Sequence, residues 1–452
     1  MKHVLSFLAA AAAVAANKGC WEETGNFFCG GKGVKQIKYS GLDLPGTYRA
    51  VKFMDNAGTC TFEDRPYSGP IAPYDEELSF HIRGPFHLNA FAVYTPLANA
   101  KREVPQVHPK RHGHQNLHKK LRDQKRGNMV TAVIDGVTQT WENNWFGPTE
   151  TPQQTSNTPA VQSIAQPVKL EPIPIPTLDN SIKQPTHNDG KDINKGHHIP
   201  AGDDFERIAY YNAASRAANG LVFLANKGDP TISGTWDTVW GNSLSYVGAD
   251  GAKCAASPTV LGDVQIGDGT EIAIYSDKKC DDSCGAVRPG SVAYKGWSGP
   301  NKVFLMEFSM PDTGASGWNL NMPAAWLLHA SIARTGQYSS CSCWKGDGSS
   351  PLAGGCGEAD VFEVLASGDT KAKSTFHFAH ALGDSHYFDR PVDRSIKAAV
   401  VFQASSSTAS IKILDDNFDF SAGLTSKQID DLVDDESDVD LFSLMSFGRR
   451  KA

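Results

Sequence analysis

From Gly354 to Leu365 the chain reads Gly-Gly-Cys-Gly-Glu-Ala-Asp-Val-Phe-Glu-Val-Leu, so three carboxylates, Glu358, Asp360 and Glu363, fall within six residues among small and apolar neighbours. On an α-helix, at about 100° per residue, they would point near about 0°, 200° and 140° and share no face. On a strand, alternation puts Glu358 and Asp360 on one face and Glu363 on the other, unless the strand holds one extra residue. A β-bulge at Val361 or Phe362 supplies that residue, turns all three carboxylates to one side and leaves the apolar side chains to fill a core beneath.

Carboxylates so arranged suit glycosidic chemistry. A retaining glycosidase needs two of them about 5 to 5.5 Å apart: one attacks the anomeric carbon, and the other protonates the leaving oxygen and then activates water. An acid between them tunes both, because its charge and hydrogen bonds help keep one neighbour ionised and the other protonated. Acid triplets also occur on solvated strands and in calcium loops, but calcium loops are polar and rich in Gly, Asn and Asp, unlike Ala-Asp-Val-Phe-Glu-Val-Leu. No metal and no cofactor are expected.

The rest of the chain reads as β-structure. Runs such as 220–225, 271–275, 302–310, 323–328, 374–378 and 397–402 recur with turn residues between them and without a 3.6-residue period, which favours an all-β sandwich over βαβ units. In a chain of 452 residues, 40% hydrophobic, there is material for more than one core. The expected layout is a signal peptide at 1–16, an N-terminal Cys-containing β-rich module at 17–147, a Pro-rich linker at 148–200, a β-sandwich domain at 201–421 and an acidic tail at 422–452. Within the tail a short helix is expected over Ser426 to Val433, capped by Thr425 or Ser426, followed by a solvated, mobile extension in which 430–440 carries seven acids and no base.

The signal peptide implies export, and no run of about 20 apolar residues suggests a membrane span. Nine cysteines in an exported chain imply disulfides with one thiol left over. Cys341-Ser342-Cys343 and the Cys280 to Cys284 pair have some look of zinc ligands, but export and the absence of a regular Cys-x-x-Cys pair favour bridges. A bridge from Cys341 or Cys343 to Cys356 would pin the loop that delivers the acidic strand. A net charge of −7 argues against nucleic acid as a partner. The segment 101–127, with nine Lys and Arg, dissents; a solvated, disordered loop is preferred there over a polyanion site.

The form Glu-x-Asp-x-x-Glu resembles the bulged catalytic strand of glycoside hydrolase family 16, β-sandwich endo-β-glucanases and transglycosylases. That resemblance covers about 300–380 and implies a jelly-roll, concanavalin-like sandwich with Glu358 as nucleophile, Asp360 as assisting acid and Glu363 as general acid/base. Asn321-Met322-Pro323-Ala324-Ala325-Trp326-Leu327-Leu328 looks like the family's Trp-Pro-Ala-x-Trp-Leu-Leu strand, which makes Trp326 a substrate-binding candidate, although Met322 stands where the family has its first Trp. His377 looks like the histidine on the strand after the catalytic one, with core packing as its other reading. Trp344, beside the cysteine pair in a Gly/Ser-rich loop, is a further sugar-binding candidate. Trp236, Trp240, Trp297 and Trp318 could line a cleft or fill the sandwich, and Trp141, Trp145 and Phe146 could form a platform or pack. From Cys20 to about Gly423 the chain is similar to a fungal cell-wall family of glycosyl-hydrolase type related to the yeast "target of SBF" protein.

Together these readings imply a secreted, cell-wall, monomeric retaining endo-β-glucanase or transglycosylase acting on β-1,3-glucan. The competing reading is a non-catalytic wall protein that binds β-glucan in the same cleft. The dibasic pairs Lys101-Arg102, Lys110-Arg111 and Lys125-Arg126 are of the kind that secretory-pathway proteases cut. Secreted protein is expected to run as two fragments on a reducing gel, and an intact single band would count against that.

Overall fold

The structure, a computed structural model, describes residues 20–97, 204–337, 339–345, 355–378, 380 and 382–447, and the backbone of the strands Met129–Ile134 and Val137–Glu142. Two large sheets face each other. The front sheet runs Cys254–Ala255, Ser245–Val247, Leu221–Ala225, Glu271–Ser276, Leu78–Arg83, Ala324–His329, Glu358–Val364, Lys371–His377 and Leu382–Gly383. The back sheet runs Ala217–Asn219, Phe205–Asn212, Phe86–Pro96, Lys302–Ser309, Ile396–Gln403, Thr408–Leu414, Gln36–Ser40 and Phe442–Ser446. The fold is all-β, as expected, with one helix of two turns and short helical turns besides among the described residues.

Alternation along each strand builds the core between the sheets. From the front come Phe80, Ile82, Leu327, Ala359 and Phe376; from the back come Phe91, Phe304, Met306, Phe308 and Val400. The rings of Phe80 and Phe91 stand 5.0 Å apart across the layers and those of Phe308 and Phe362 5.2 Å, close enough for edge and tilted packing.

The boundary expected at 147 does not separate two cores. Leu78–Arg83 lies between Glu271–Ser276 and Ala324–His329 in the front sheet, and Phe86–Pro96 lies between Phe205–Asn212 and Lys302–Ser309 in the back sheet. Strands from the first hundred residues are thus interior strands of the sandwich completed by residues 204–446. All six side chains of Leu78–Arg83 are buried, polar ones included, because this strand is covered on both faces. Local pattern identified the strands but not their partners: an apolar run reads the same in a small module and in the middle of a large sheet. Among the described residues four strand pairs stand apart from the two sheets: Cys20–Glu23 with Asn26–Cys29, Gly46–Met54 with Cys60–Tyr67, Met129–Ile134 with Val137–Glu142, and Trp236–Asp237 with Gly241–Asn242.

The tail departs from expectation in one half and matches it in the other. The helix Ser426–Val433 forms with Thr425 as its N-cap, the Thr425 side chain accepting from Gln428 N–H while the Gln428 side chain accepts from Thr425 N–H. It is not an extension in solvent. Ile429, Leu432 and Val433 recur at helical spacing and pack with Ala92, Val303 and Val401 on the outer face of the back sheet, while Asp430, Asp431, Asp434 and Asp435 face water. The acids that dominate the composition mask a three-residue apolar stripe, and beyond them Phe442–Ser446 pairs parallel to Gln36–Ser40.

The expected signal peptide, the basic loop at 101–127 and the Pro-rich linker at 148–200 lie outside the described residues, as do the side chains of Trp141, Trp145 and Phe146. Among the described residues no helix is long and apolar enough to cross a membrane. Leu432→Ala should lower unfolding stability by about 2 to 3 kcal/mol in chemical denaturation, since it removes a buried methyl cluster. A tail without a docking role would show no change.

Candidate active site

The acidic strand is Glu358–Val364, and it is bulged. Toward Ala324–His329, Phe362 pairs with Ala325 and Asp360 with Trp326, so Val361 has no opposite residue; toward Lys371–His377, Asp360 pairs with Thr375 and Glu363 with Lys373. The extra residue falls at 361–362, where sequence reasoning put it. Ala359, Val361, Phe362 and Val364 all enter the core, and Glu358, Asp360 and Glu363 share the other face. The bulge is held from below: Ser374 Oγ donates to the Asp360 carbonyl at 2.8 Å, and the Tyr39 hydroxyl donates to Ser374 Oγ at 3.0 Å. At the Glu358 end the buried Tyr74 hydroxyl donates to the carbonyls of Glu358 and His377, at 2.9 and 3.2 Å, tying the two strands together.

Each carboxyl has its own neighbour. Trp344 Nε1 donates to Glu358 Oε2. Trp344 reaches it from a loop pinned by the Cys343–Cys356 disulfide, one of the bridges foreseen from the spacing. In that loop Gly355, at φ +48°, lies so close to the Cys343 carbonyl that a Cβ would stand 1.9 Å from it. His377 Nε2 lies 3.0 Å from Asp360 Oδ2, and its side chain is partly exposed. Arg83 NH2 lies 3.6 Å from Glu363 Oε1, and its Nε donates to the Met322 carbonyl at 2.9 Å. Lys373, in register with Glu363, donates to the Phe27 carbonyl at 2.7 Å and so fastens the Cys20–Cys29 hairpin beside the acidic strand.

Trp326 is on the same face as Asp360 but only 5% exposed, with the His81 ring 5.3 Å away and the Arg83 guanidinium 6.0 Å from its own ring centre. Among the other tryptophans, Trp240 and Trp297 are buried, whereas Trp236 and Trp318 are exposed. The bridges are Cys20–Cys29, Cys60–Cys341, Cys280–Cys284 and Cys343–Cys356, which leaves Cys254 as the odd thiol. His329, Cys343 and Cys356 lie close enough together to hold a metal, but the two sulfurs are bonded to each other and His329 already meets Glu76 and Ser331. That cluster offers no thiolate.

Burial dominates the electrostatics. It pushes the Glu363 carboxyl up to about 7, aided by the Asp360 charge and opposed by Arg83 and His377. Glu358 and Asp360 are also raised, first by burial; the Asp360 charge adds to the shift at Glu358, while the Trp344 N–H, which stabilises the anion, works against it. Two acids so close titrate as a pair, and the first proton lost leaves from the site best able to carry charge. Burial outweighs the Trp344 donor, so the Glu358 carboxyl stands raised with the other two. Beneath the groove, burial drives His81 down to about 3, so its imidazole is neutral.

Residues 203–432 match the family model described as "Cell wall protein YJL171C/Tos1, C-terminal", and residues 35–96 match its N-terminal counterpart. The chain belongs to this family. The two Tos1 matches cover the two parts of one sandwich, the shorter ending on the interior strand Phe86–Pro96. A relative from Arthroderma benhamiae, named "Probable circularly permuted 1,3-beta-glucanase", is 36% identical, over 99% of this chain and all of its own length. Two relatives named "Probable circularly permuted 1,3-beta-glucanase TOS1" are 34% identical in Saccharomyces cerevisiae, over 89% of this chain and 90% of the relative, and 35% identical in Candida albicans, over 91% and 92%. No solved structure matches the chain.

Sequence reasoning missed Arg83, His81, Ser374 and Tyr39. Arg83 left no signal of burial, since in the alternating stretch Leu-Ser-Phe-His-Ile-Arg it falls with Ser79 and His81 on the face that reads as solvated. Ser374 and Tyr39 left none, because their role depends on strands more than 300 residues apart. Glu363 is held above its ordinary value, so its contribution to stability is intact in acid and is lost as pH rises from the usual carboxylate range through about 7. Glu363→Gln should therefore raise Tm at pH 8 and leave it nearly unchanged at pH 4, in thermal unfolding followed by circular dichroism. Equal Tm for the two proteins at both pH values would contradict the burial argument.

Proposed function

We propose that this wall-family protein is exported to the cell wall and is a glycosidase that acts on β-1,3-glucan with retention at the anomeric carbon, as a hydrolase or a transglycosylase. Glu358, ionised with the Trp344 N–H on it, attacks the anomeric carbon. The bond to the leaving oxygen breaks as Glu363 gives that oxygen its proton. In the second half Glu363, now a carboxylate, takes a proton from water or from a sugar hydroxyl, whose oxygen displaces Glu358 from the same carbon. Asp360 lies between them, and a proton held between its Oδ2 and His377 Nε2 keeps the middle of the strand from carrying full charge while Glu358 is ionised.

The observation that carries the reading is the bulge, which turns three carboxyls to one face, with the Trp344 N–H donating to Glu358 and burial raising all three. The names of the relatives supply the substrate class, β-1,3-glucan.

Glu358→Gln and Glu363→Gln should each lower the release of sugar from β-1,3-glucan by at least about a thousandfold, as expected when an essential acid or nucleophile is lost. Near-wild-type release by either would remove the assignment. In wild type, kcat/KM should fall as pH rises through about 7, where the Glu363 proton is lost. Tight binding of insoluble glucan by wild type and Glu358→Gln alike, with no turnover by either, would select the non-catalytic wall protein instead.

A further inference from the structure

We infer that Gln337 and the segment 339–344 permanently close the groove on one side of the carboxylates, so that a glucan chain enters from the other side alone and is cut close to one of its ends. The inference rests on the reading of the groove as a glucan site, and it replaces the internal cleavage that the family 16 resemblance implies.

A polysaccharide lying across the front sheet passes over side chains in register. One such row is Ala273, His81, Trp326, Asp360 and Thr375. Its two halves differ. On the Trp326 side, Trp326 is 5% exposed, His81 1% and the neighbouring Arg83 4%, although this face of the sheet points away from the core between the layers. On the other side Thr375 and His377 both reach the surface, and 29% of the His377 side chain is exposed.

The cover can be traced. Gln337 Nε2 donates to Glu271 Oε2 at 3.2 Å, and Glu271 is in register with Arg83; Trp344 Nε1 donates to Glu358. Gln337 and Trp344 therefore touch the groove face at two points, one strand outside Leu78–Arg83 and on Glu358–Val364 itself, and the strands that carry His81 and Trp326 run between them. Just before it, Ala330 and Ala333 pack with Ala273 and Tyr275 and fill the row further out.

Nor is this a lid free to swing. Cys60–Cys341 fastens its middle to the Gly46–Tyr67 hairpin, Cys343–Cys356 fastens its end to the start of the acidic strand, and Cys341 is buried with Met54 and Trp240. A sugar chain crossing the site in both directions would have to displace residues held by two covalent links. A chain end has only to reach the wall.

The test uses the full chain carrying Glu358→Gln, which binds without turnover, and linear β-1,3-gluco-oligosaccharides with a bulky fluorophore at the reducing end or at the non-reducing end. A blind-ended groove predicts that the label at one end weakens binding at least tenfold while the label at the other end is tolerated. Equal tolerance of both labels overturns the closure, and binding of neither labelled nor unlabelled sugar overturns the glucan reading and this inference with it. A second measurement follows the early products of wild type on long β-1,3-glucan. Short products, or short units transferred, with a slow fall in viscosity support a one-sided site; a rapid fall with long fragments from the outset overturns it. Gln337→Ala, which frees one end of the cover without touching the carboxylates, should shift the products toward greater length.

Discussion

A short relay of hydroxyls, Tyr39 to Ser374 to the Asp360 carbonyl, lets the front sheet carry one residue too many. An extra residue in a buried strand leaves main-chain polar groups out of register, and an unmet carbonyl in such a place costs about 1 to 3 kcal/mol. Here Ser374, at the residue opposite the irregularity, meets it, and a tyrosine from the back sheet orients the serine. Both apolar residues at the irregularity, Val361 and Phe362, then drop into the core, and Glu363 is rotated up beside Asp360. Without that compensation the more stable strand is a regular one, with Glu363 driven into a layer of phenylalanines.

The same packing sets the chemistry. Carboxyls on a floor walled by Arg83, Trp344 and His377 see little water, so each resists ionisation, while the Trp344 N–H eases it at Glu358. Arg83 acts the other way on Glu363, moderating a shift that burial and Asp360 would make larger. Glu358 and Glu363 thus differ through their neighbours, although both lie on one strand. The arrangement stores energy, since acids packed at this depth destabilise the fold once the solution is neutral.

How much of this was legible in the sequence depended on distance along the chain. The bulge followed from six residues, because alternation and the apolar identity of Val361 and Phe362 admit few other solutions. The cap and extent of Ser426–Val433 followed from local chemistry, and so did the staple at Cys356. What escaped was everything that joins remote segments. Arg83 and Tyr39 reach the site from strands that look like parts of a separate module, and Trp326, whose local motif points to sugar, is buried beside His81 and Arg83 from one of those strands. The acid-rich tail misled for a related reason: composition averages over a helix, while packing responds to the one stripe of it that is apolar.

The interior position of Leu78–Arg83 and Phe86–Pro96 also bears on how the molecule assembles. Neither sheet has a continuous middle until strands made more than two hundred residues apart have met, so a large share of native contacts is non-local and the folding search is correspondingly slow. During synthesis the first hundred residues must wait with apolar faces uncovered. Once formed, the Cys60–Cys341 link spans the whole intervening stretch, so severing the backbone anywhere between 97 and 204 would leave two polypeptides sharing one interior and one sulfur bond. The halves would stay a single particle in oxidising surroundings.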